Sequence, residues 1–95
     1  MPSHDKEEIK RQLIDRVERV VEHLLPNGTR RANQWCIGNV QGDPGQSCRV
    51  NLRGDKAGVW KDFNSDESGD ILELWMKVEN LDFPEVLKDA AEWLG

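Results

Sequence analysis

Cations and tryptophans are interleaved through the middle of this 95-residue chain, in a pattern that could bind single-stranded nucleic acid. On such surfaces basic side chains follow the phosphates, and aromatic rings stack on the bases with little preference for sequence. The competing interpretation is that the tryptophans form a core and the cations are ordinary solvated side chains. The candidate nucleic-acid-binding residues are Arg30, Arg31, Arg49, Arg53, Lys56, Trp60 and Lys61.

The charge of the chain is unevenly distributed, and this indicates which segment could meet a phosphate backbone. The whole chain has a formal net charge of −5 at pH 7. Residues 29–61 carry six basic and two acidic groups, whereas residues 62–95 carry two basic and ten acidic groups. Only the middle third is therefore expected to attract a nucleic acid, and the last third should repel it.

Residue types that perform catalysis are not arranged in any recognisable set. The chain contains no Ser/His/Asp set, no HExxH motif and no glycine-rich phosphate loop. Asp62, Asp66, Glu67 and Asp70 form an acidic cluster that could bind Mg²⁺, but their spacing is not that of a calcium-binding loop. A solvated turn leading into a helix cap explains the cluster better. The sequence therefore predicts a binding domain without enzymatic activity.

The elements that would position these residues divide the chain into three parts of one domain, residues 1–95. Apolar residues recur at helical spacing over residues 5–25, which predicts a helix capped by Ser3 or Asp5 within the segment 1–28. Its apolar stripe should pack on the sheet, although it could instead bind a partner. The segment 29–66 predicts a β-meander with strands at 33–40, 47–52 and 58–63, separated by turn residues.

The segment 69–95 predicts two helices that follow the meander. Asp70 is the expected N-cap of the first helix. Asp82 and Glu85 have the spacing of a capping box at the start of the second, where Pro84 fits the first turn. A helix, then antiparallel strands, then two helices make the predicted fold class α+β.

Alternation along the strands predicts which side chains share a face of the sheet. In the middle strand Cys48, Val50 and Leu52 alternate with Arg49, Asn51 and Arg53, so one face should be apolar and the other should carry cations. The last strand is less regular. Val59, Lys61 and Phe63 should point to one face of this strand, and Trp60 and Asp62 to the other, so each face mixes apolar and charged residues.

The stretch GVWKDFNSDESGD and the helical segment after it resemble the end of the zinc-binding domain at the front of bacterial and phage DNA primases. The residues that carry the resemblance, in the order and spacing of that family, are Trp60, Phe63, Gly69, Asp70, Leu81, Phe83, Pro84 and Glu85. The resemblance covers about residues 30–95. It implies a small zinc-ribbon-like antiparallel meander flanked by helices, which contacts single-stranded template through its sheet. It also implies that catalysis belongs to a separate downstream domain.

The same resemblance identifies the positions where the family has zinc ligands. Here these positions hold Cys36, Asn39, Asp62 and Ser65, and only Cys36 is a thiolate donor. His4 and His23 have no partner at ligand spacing. We therefore expect no zinc and no other cofactor, and we expect tryptophan packing to stabilise the hairpins instead. Cys36 and Cys48 are interpreted as small buried residues in a reduced protein.

These observations predict a non-catalytic domain that binds single-stranded DNA for a primase or primase–helicase in phage, mobile-element or bacterial replication. The strand should lie across the sheet between Arg49, Arg53, Trp60 and Lys61. Phe63 is expected to be buried, so that its replacement by Ala would cost about 3–5 kcal/mol. The alternative is a protein-interaction module that binds a replication protein or the downstream primase or helicase domain. The sequence has no membrane-spanning run and no secretion signal, which predicts a cytoplasmic protein.

Overall fold

The apolar stripes of the helices and one face of the strands meet in one core. The computed structural model describes residues 5–95 and has the α+β class predicted from the sequence. The helices are α1 (Lys6–Asp15), α2 (Val17–Leu24), α3 (Ile71–Glu79) and α4 (Phe83–Leu94). The strands are β1 (Thr29–Arg31), β2 (Gln34–Ile37), β3 (Cys48–Asn51), β4 (Trp60–Asp62) and β5 (Glu67–Gly69). They form one antiparallel sheet in the order β1-β2-β3-β4-β5.

The predicted N-terminal helix is interrupted at Arg16, which separates α1 from α2. The buried residues Ile9, Leu13 and Val17 follow one another at intervals of four, and such a stripe winds around a straight helix. The backbone of Arg16 leaves the helical conformation, with φ of −118° and ψ of 30°, and the stripes of both helices are buried in one core. Asp5 caps α1 by accepting a hydrogen bond from the Glu7 backbone N–H at 2.9 Å. The alternative cap, Ser3, lies outside the described residues.

The two C-terminal helices begin and end where the sequence predicts. The Asp70 side chain accepts a hydrogen bond from the Glu73 N–H at 2.9 Å, and Asp82 accepts one from the Glu85 N–H at 2.9 Å. Both are complete capping boxes. Asn80 ends α3 in the left-handed conformation, with φ of 56°.

The register of the sheet assigns each strand residue to one of two faces. Cys48 lies opposite Asp62, and Val50 lies opposite Trp60, and all four are buried among the helices. We call this the inner face. Arg49 lies opposite Lys61, which lies opposite Ser68, and these three are exposed on the outer face.

The sequence missed the two edge strands, β1 and β5. Both are three residues long, and all of β1 is exposed. Short polar strands are typical of sheet edges, where they discourage pairing with other chains, and they carry no apolar alternation to reveal them. The segment around Glu67 that the sequence predicts as a solvated turn is therefore partly a strand.

Three tryptophans anchor the core through both ring packing and hydrogen bonds. Trp60 and Trp75 are 1% and 0% exposed, and Trp35 packs against the same cluster. The indole N–H of Trp35 donates to the Leu25 carbonyl, and that of Trp60 donates to the Asp70 carbonyl, both at 3.0 Å. The indole N–H of Trp75 donates to the Asp89 carboxylate at 2.9 Å. Buried tryptophans combine a large apolar area with one satisfied donor, so they stabilise a small domain efficiently.

Cys36 and Cys48 are free and buried, as predicted. Ile37 lies opposite Cys48, so Cys36, its neighbour in the strand, belongs to the other face of the sheet and cannot form a disulfide with Cys48. Burial, reinforced by the charge of Asp62, raises the pKa of the Cys48 thiol from 9.0 to about 11.

We expect both thiols to react slowly with a soluble disulfide reagent near neutral pH, and fully after denaturation. Because the pKa of the Cys48 thiol is higher in the folded protein than in the unfolded chain, the protonated thiol adds to the free energy of unfolding. This contribution is complete below the unfolded pKa of 9.0 and is lost as the pH rises towards about 11. The thiolate released by the reagent, followed by absorbance, measures the rate. Rapid modification of the folded protein would contradict the burial of these residues.

Within residues 5–95, no helix combines the length and the apolar character needed to cross a membrane.

Candidate nucleic-acid interface

The outer face of the sheet is the surface on which the predicted cations and an exposed aromatic ring come together. Its central row, across the sheet, consists of Thr29, Cys36, Arg49, Lys61 and Ser68. The next row towards one end contains Arg31, Gln34, Asn51 and Val59. At the opposite end the Phe63 N–H donates to the Ser47 carbonyl at 2.7 Å, which continues the pairing of β3 with β4.

Phe63 lies at one end of this surface, and the prediction that it is buried is wrong. The side chain is 63% exposed, and two cations lie against its ring. The Arg49 Cζ atom is 5.7 Å from the ring centroid, and the Lys61 Nζ atom is 5.2 Å from it. These are cation–π distances, so the ring and the two charges form one cluster. Phe63 lies two residues after Lys61, so the two side chains point to the same face of the strand. This spacing was the feature of the sequence that indicated the exposure of Phe63.

Trp60 does not belong to the interface, because its ring lies in the core. It is 1% exposed and faces the helices, where its indole N–H donates to the Asp70 carbonyl at 3.0 Å. Adjacent residues of a strand point to opposite faces, so burying Trp60 directs Lys61 outward. Among residues 5–95, the exposed ring beside Arg49 and Lys61 that could take the stacking role suggested for Trp60 is that of Phe63.

Arg30 and Arg53 lie on the helix side of the sheet, where both contact Glu18 of α2. The Arg30 guanidinium is 2.6 Å from the Glu18 carboxylate, and the Arg53 guanidinium is 3.8 Å from it. This carboxylate holds both cations away from the outer face. The predicted nucleic-acid-binding residues are therefore divided between two surfaces, and Arg30 and Arg53 do not share a surface with Arg49.

The two remaining candidates are separate from the Phe63 cluster. Arg31 is exposed and shares the parity of the outer face, at the edge strand farthest from β4. Lys56 is exposed in the short 3₁₀ turn Gly54–Lys56, which connects β3 with β4. Lys61 is also balanced by an acidic neighbour, since its ammonium lies 3.3 Å from the Asp66 carboxylate.

The four positions that the resemblance assigns to zinc ligands do not converge. Cys36 belongs to the outer face and Asp62 to the inner face, where Asp62 is 4% exposed. No group of three or more His, Cys, Asp and Glu side chains that could hold a metal occurs in the part of the chain described, residues 5–95. His4 lies outside that range. The expected absence of zinc remains a prediction.

Three of these four side chains instead organise the turns by hydrogen bonds. Asn39 Oδ1 accepts from the backbone N–H groups of Gln41 and Asp43, at 3.0 and 3.3 Å. Asp62 Oδ1 accepts from those of Asn64 and Ser65, at 2.9 and 3.4 Å. The Ser65 hydroxyl accepts from the Glu67 N–H at 3.3 Å.

Such side-chain hydrogen bonds mimic a backbone turn and fix its shape. Two of the connections of the sheet, the loop between β2 and β3 and the turn between β4 and β5, are therefore held by local hydrogen bonds.

Comparisons of this chain with protein-family models, with curated proteins and with solved structures find no match. The resemblance to the zinc domain of primases therefore rests on the residues that carry it.

Proposed function

We propose that the outer face of the sheet binds single-stranded DNA and that the domain has no catalytic activity of its own. The observation that carries this proposal is the Phe63 ring, which is 63% exposed and has the guanidinium of Arg49 at 5.7 Å and the ammonium of Lys61 at 5.2 Å from its centroid. An exposed ring on a sheet offers an unpaired base a stacking surface, and cations beside it can bind the flanking phosphates.

The distribution of charge supports the same face. Residues 29–61, which provide β1, β2, β3 and most of β4, carry a net charge of +4, and residues 62–95 carry −8. The helices α3 and α4 of the acidic segment pack behind the sheet, in the same core as its inner face. Two of the six cations in residues 29–61, Arg30 and Arg53, contact Glu18 on the helix side. The outer face therefore attracts a nucleic acid through Arg31, Arg49 and Lys61, and the acidic helices repel it.

The basic surface is small, so the affinity should be modest and strongly dependent on salt. Arg49 and Lys61 can each neutralise one phosphate near the ring, and Arg31 can contact a third towards the edge of the sheet. Each phosphate contacted on a single strand contributes about −0.7 to the slope of log K against log salt. Weak sites of this kind act best as part of a larger assembly.

The resemblance to primases suggests which assembly this is. We propose that the domain presents template to a primase or primase–helicase, whose catalytic domain would be a separate unit. The sequence order from Trp60 to Glu85 and the outer-face cluster support this role. The alternative is a protein-interaction module that binds a replication protein through its acidic C-terminal helices, and it predicts no binding to oligonucleotides.

Replacing Arg49 and Lys61 together by Ala should weaken binding of a labelled oligonucleotide by roughly tenfold and flatten the salt slope by about 1.4. Fluorescence anisotropy at two salt concentrations measures both quantities. The matched control replaces Arg19 and Lys88, exposed cations of α2 and α4, and removes the same charge. At moderate salt, charges more than about 10 Å away are largely screened, so this control should bind almost normally.

Two results would decide against the proposal. Equal losses in the two double variants would mean that only net charge matters. A wild-type protein that does not bind the oligonucleotide at low salt would favour the protein-interaction alternative.

A further inference from the structure

A groove beside Phe63 extends the outer-face cluster towards the loop that joins β2 to β3. It is lined by Gln46, Ser47, Arg49 and Phe63, and its volume is about 420 Å³. Small-molecule sites in proteins range from about 300 to 1,000 Å³, so this groove can take one base with its sugar. Its lining combines the Phe63 ring, the Arg49 cation and an uncharged polar wall formed by Gln46 and Ser47.

The loop that provides the polar wall packs closely against the end of β2. Gly38 approaches it so closely that a Cβ at this position would lie 2.4 Å from the Pro44 carbonyl oxygen. The Gly38 N–H donates to the Asp43 carbonyl at 2.8 Å, and Asn39 binds the same part of the loop. The Gln46 carbonyl accepts from Arg49 Nε and the Ser47 carbonyl accepts from the Phe63 N–H. The backbone of both residues is therefore positioned at the groove before any ligand arrives, which lowers the entropic cost of binding.

The polar groups on this wall are free to bind a ligand. Within residues 5–95, the Gln46 amide and the Ser47 hydroxyl have no hydrogen-bond partner. The backbone carbonyl of Gln46 already accepts from Arg49 Nε at 3.2 Å, which fixes the cation at the rim. An amide presents a donor and an acceptor side by side, and the edge of a nucleobase presents the complementary pair.

We propose that this groove is a nucleobase subsite in which one unpaired base stacks on Phe63 and its edge is read by Gln46. The inference rests on the proposed function and adds base discrimination to it. Stacking and phosphate contacts are tolerant of sequence. Gln46 is the residue of this groove whose free side-chain amide carries both a donor and an acceptor, and a base edge that matches such a pair is favoured over the wrong base by about fivefold or more, which is about 1–3 kcal/mol.

The test compares labelled oligo-dA, oligo-dC and oligo-dT of about twelve nucleotides, a length within the range covered by one small domain. We expect wild-type affinities to differ by about fivefold or more between the best and the worst base. Gln46→Ala should weaken binding of the best base by about fivefold and make the three affinities nearly equal. The salt slope should not change, because no phosphate contact is lost.

The matched control is Gln41→Ala, which makes the same change at an exposed glutamine of the same loop, outside the groove. It should preserve the ranking of the bases. Wild-type binding that is equal for all three oligonucleotides, or a Gln46→Ala variant that weakens all three by the same factor, would overturn the subsite and leave the proposed function intact. Failure of all three to bind would overturn both.

Discussion

Replacing Phe63 by Ala should weaken binding of single-stranded DNA by roughly 5- to 150-fold and leave the thermal midpoint nearly unchanged. Loss of a stacked ring costs about 1–3 kcal/mol per base. The ring is 63% exposed, so its removal creates no cavity in the core, and surface changes of this kind alter stability by about 0.5 kcal/mol or less. Anisotropy titration and thermal denaturation measure the two effects separately.

Phe83→Ala is the matched control for this experiment. Phe83 is 37% exposed at the start of α4, on the acidic side of the molecule, and it should tolerate the same truncation without loss of binding. If Phe63→Ala binds as tightly as Phe83→Ala, the ring is not a stacking surface. If it lowers the midpoint by more than about 8 °C, a loss of 1–2 kcal/mol, then Phe63 has a structural role after all.

Replacing Asp62 by Ala should destabilise the domain by about 2–3 kcal/mol. The Asp62 carboxylate is 4% exposed and accepts hydrogen bonds from the backbone N–H groups of Asn64 and Ser65. Without it these donors lose a charged acceptor in the turn between β4 and β5, and a hydrogen bond to a charged group contributes about 1.5–3 kcal/mol. For a domain of this size the thermal midpoint should fall by roughly 10–20 °C.

Asp62→Asn separates hydrogen bonding from charge. The amide oxygen of Asn can accept the same two hydrogen bonds, so this variant should retain most of the stability. Equal destabilisation by Ala and Asn would show that the charge, and not the turn, is what the fold requires. A midpoint unchanged by Asp62→Ala would exclude Asp62 as the residue that holds this hairpin.

Helix ends were predictable from the sequence because they depend on neighbouring residues. Asp70 and Asp82 cap α3 and α4 through groups three residues away, and Asn80 ends α3 by its own backbone conformation. The alternation in β3 was equally local. Capping and alternation act within a few residues of chain, so a sequence pattern contains all the information they need.

Other features depended on the rest of the molecule. The edge strands β1 and β5 exist because a neighbouring strand pairs with them, and their own residues carry no apolar alternation. The break at Arg16 follows from the surface on which α1 and α2 must pack together. Arg30 and Arg53 turn towards Glu18, a residue of a helix that no strand pattern could place beside them.

The candidate site shows the same division most clearly. The sequence determined that Trp60 and Phe63 lie on opposite faces of one strand, because side chains alternate with a period of two. It did not determine which of those faces the helices cover, and reversing that choice exchanges the buried ring with the exposed one. Only the packing of α1 to α4 on the inner face decides that Trp60 belongs to the core and Phe63 to the surface.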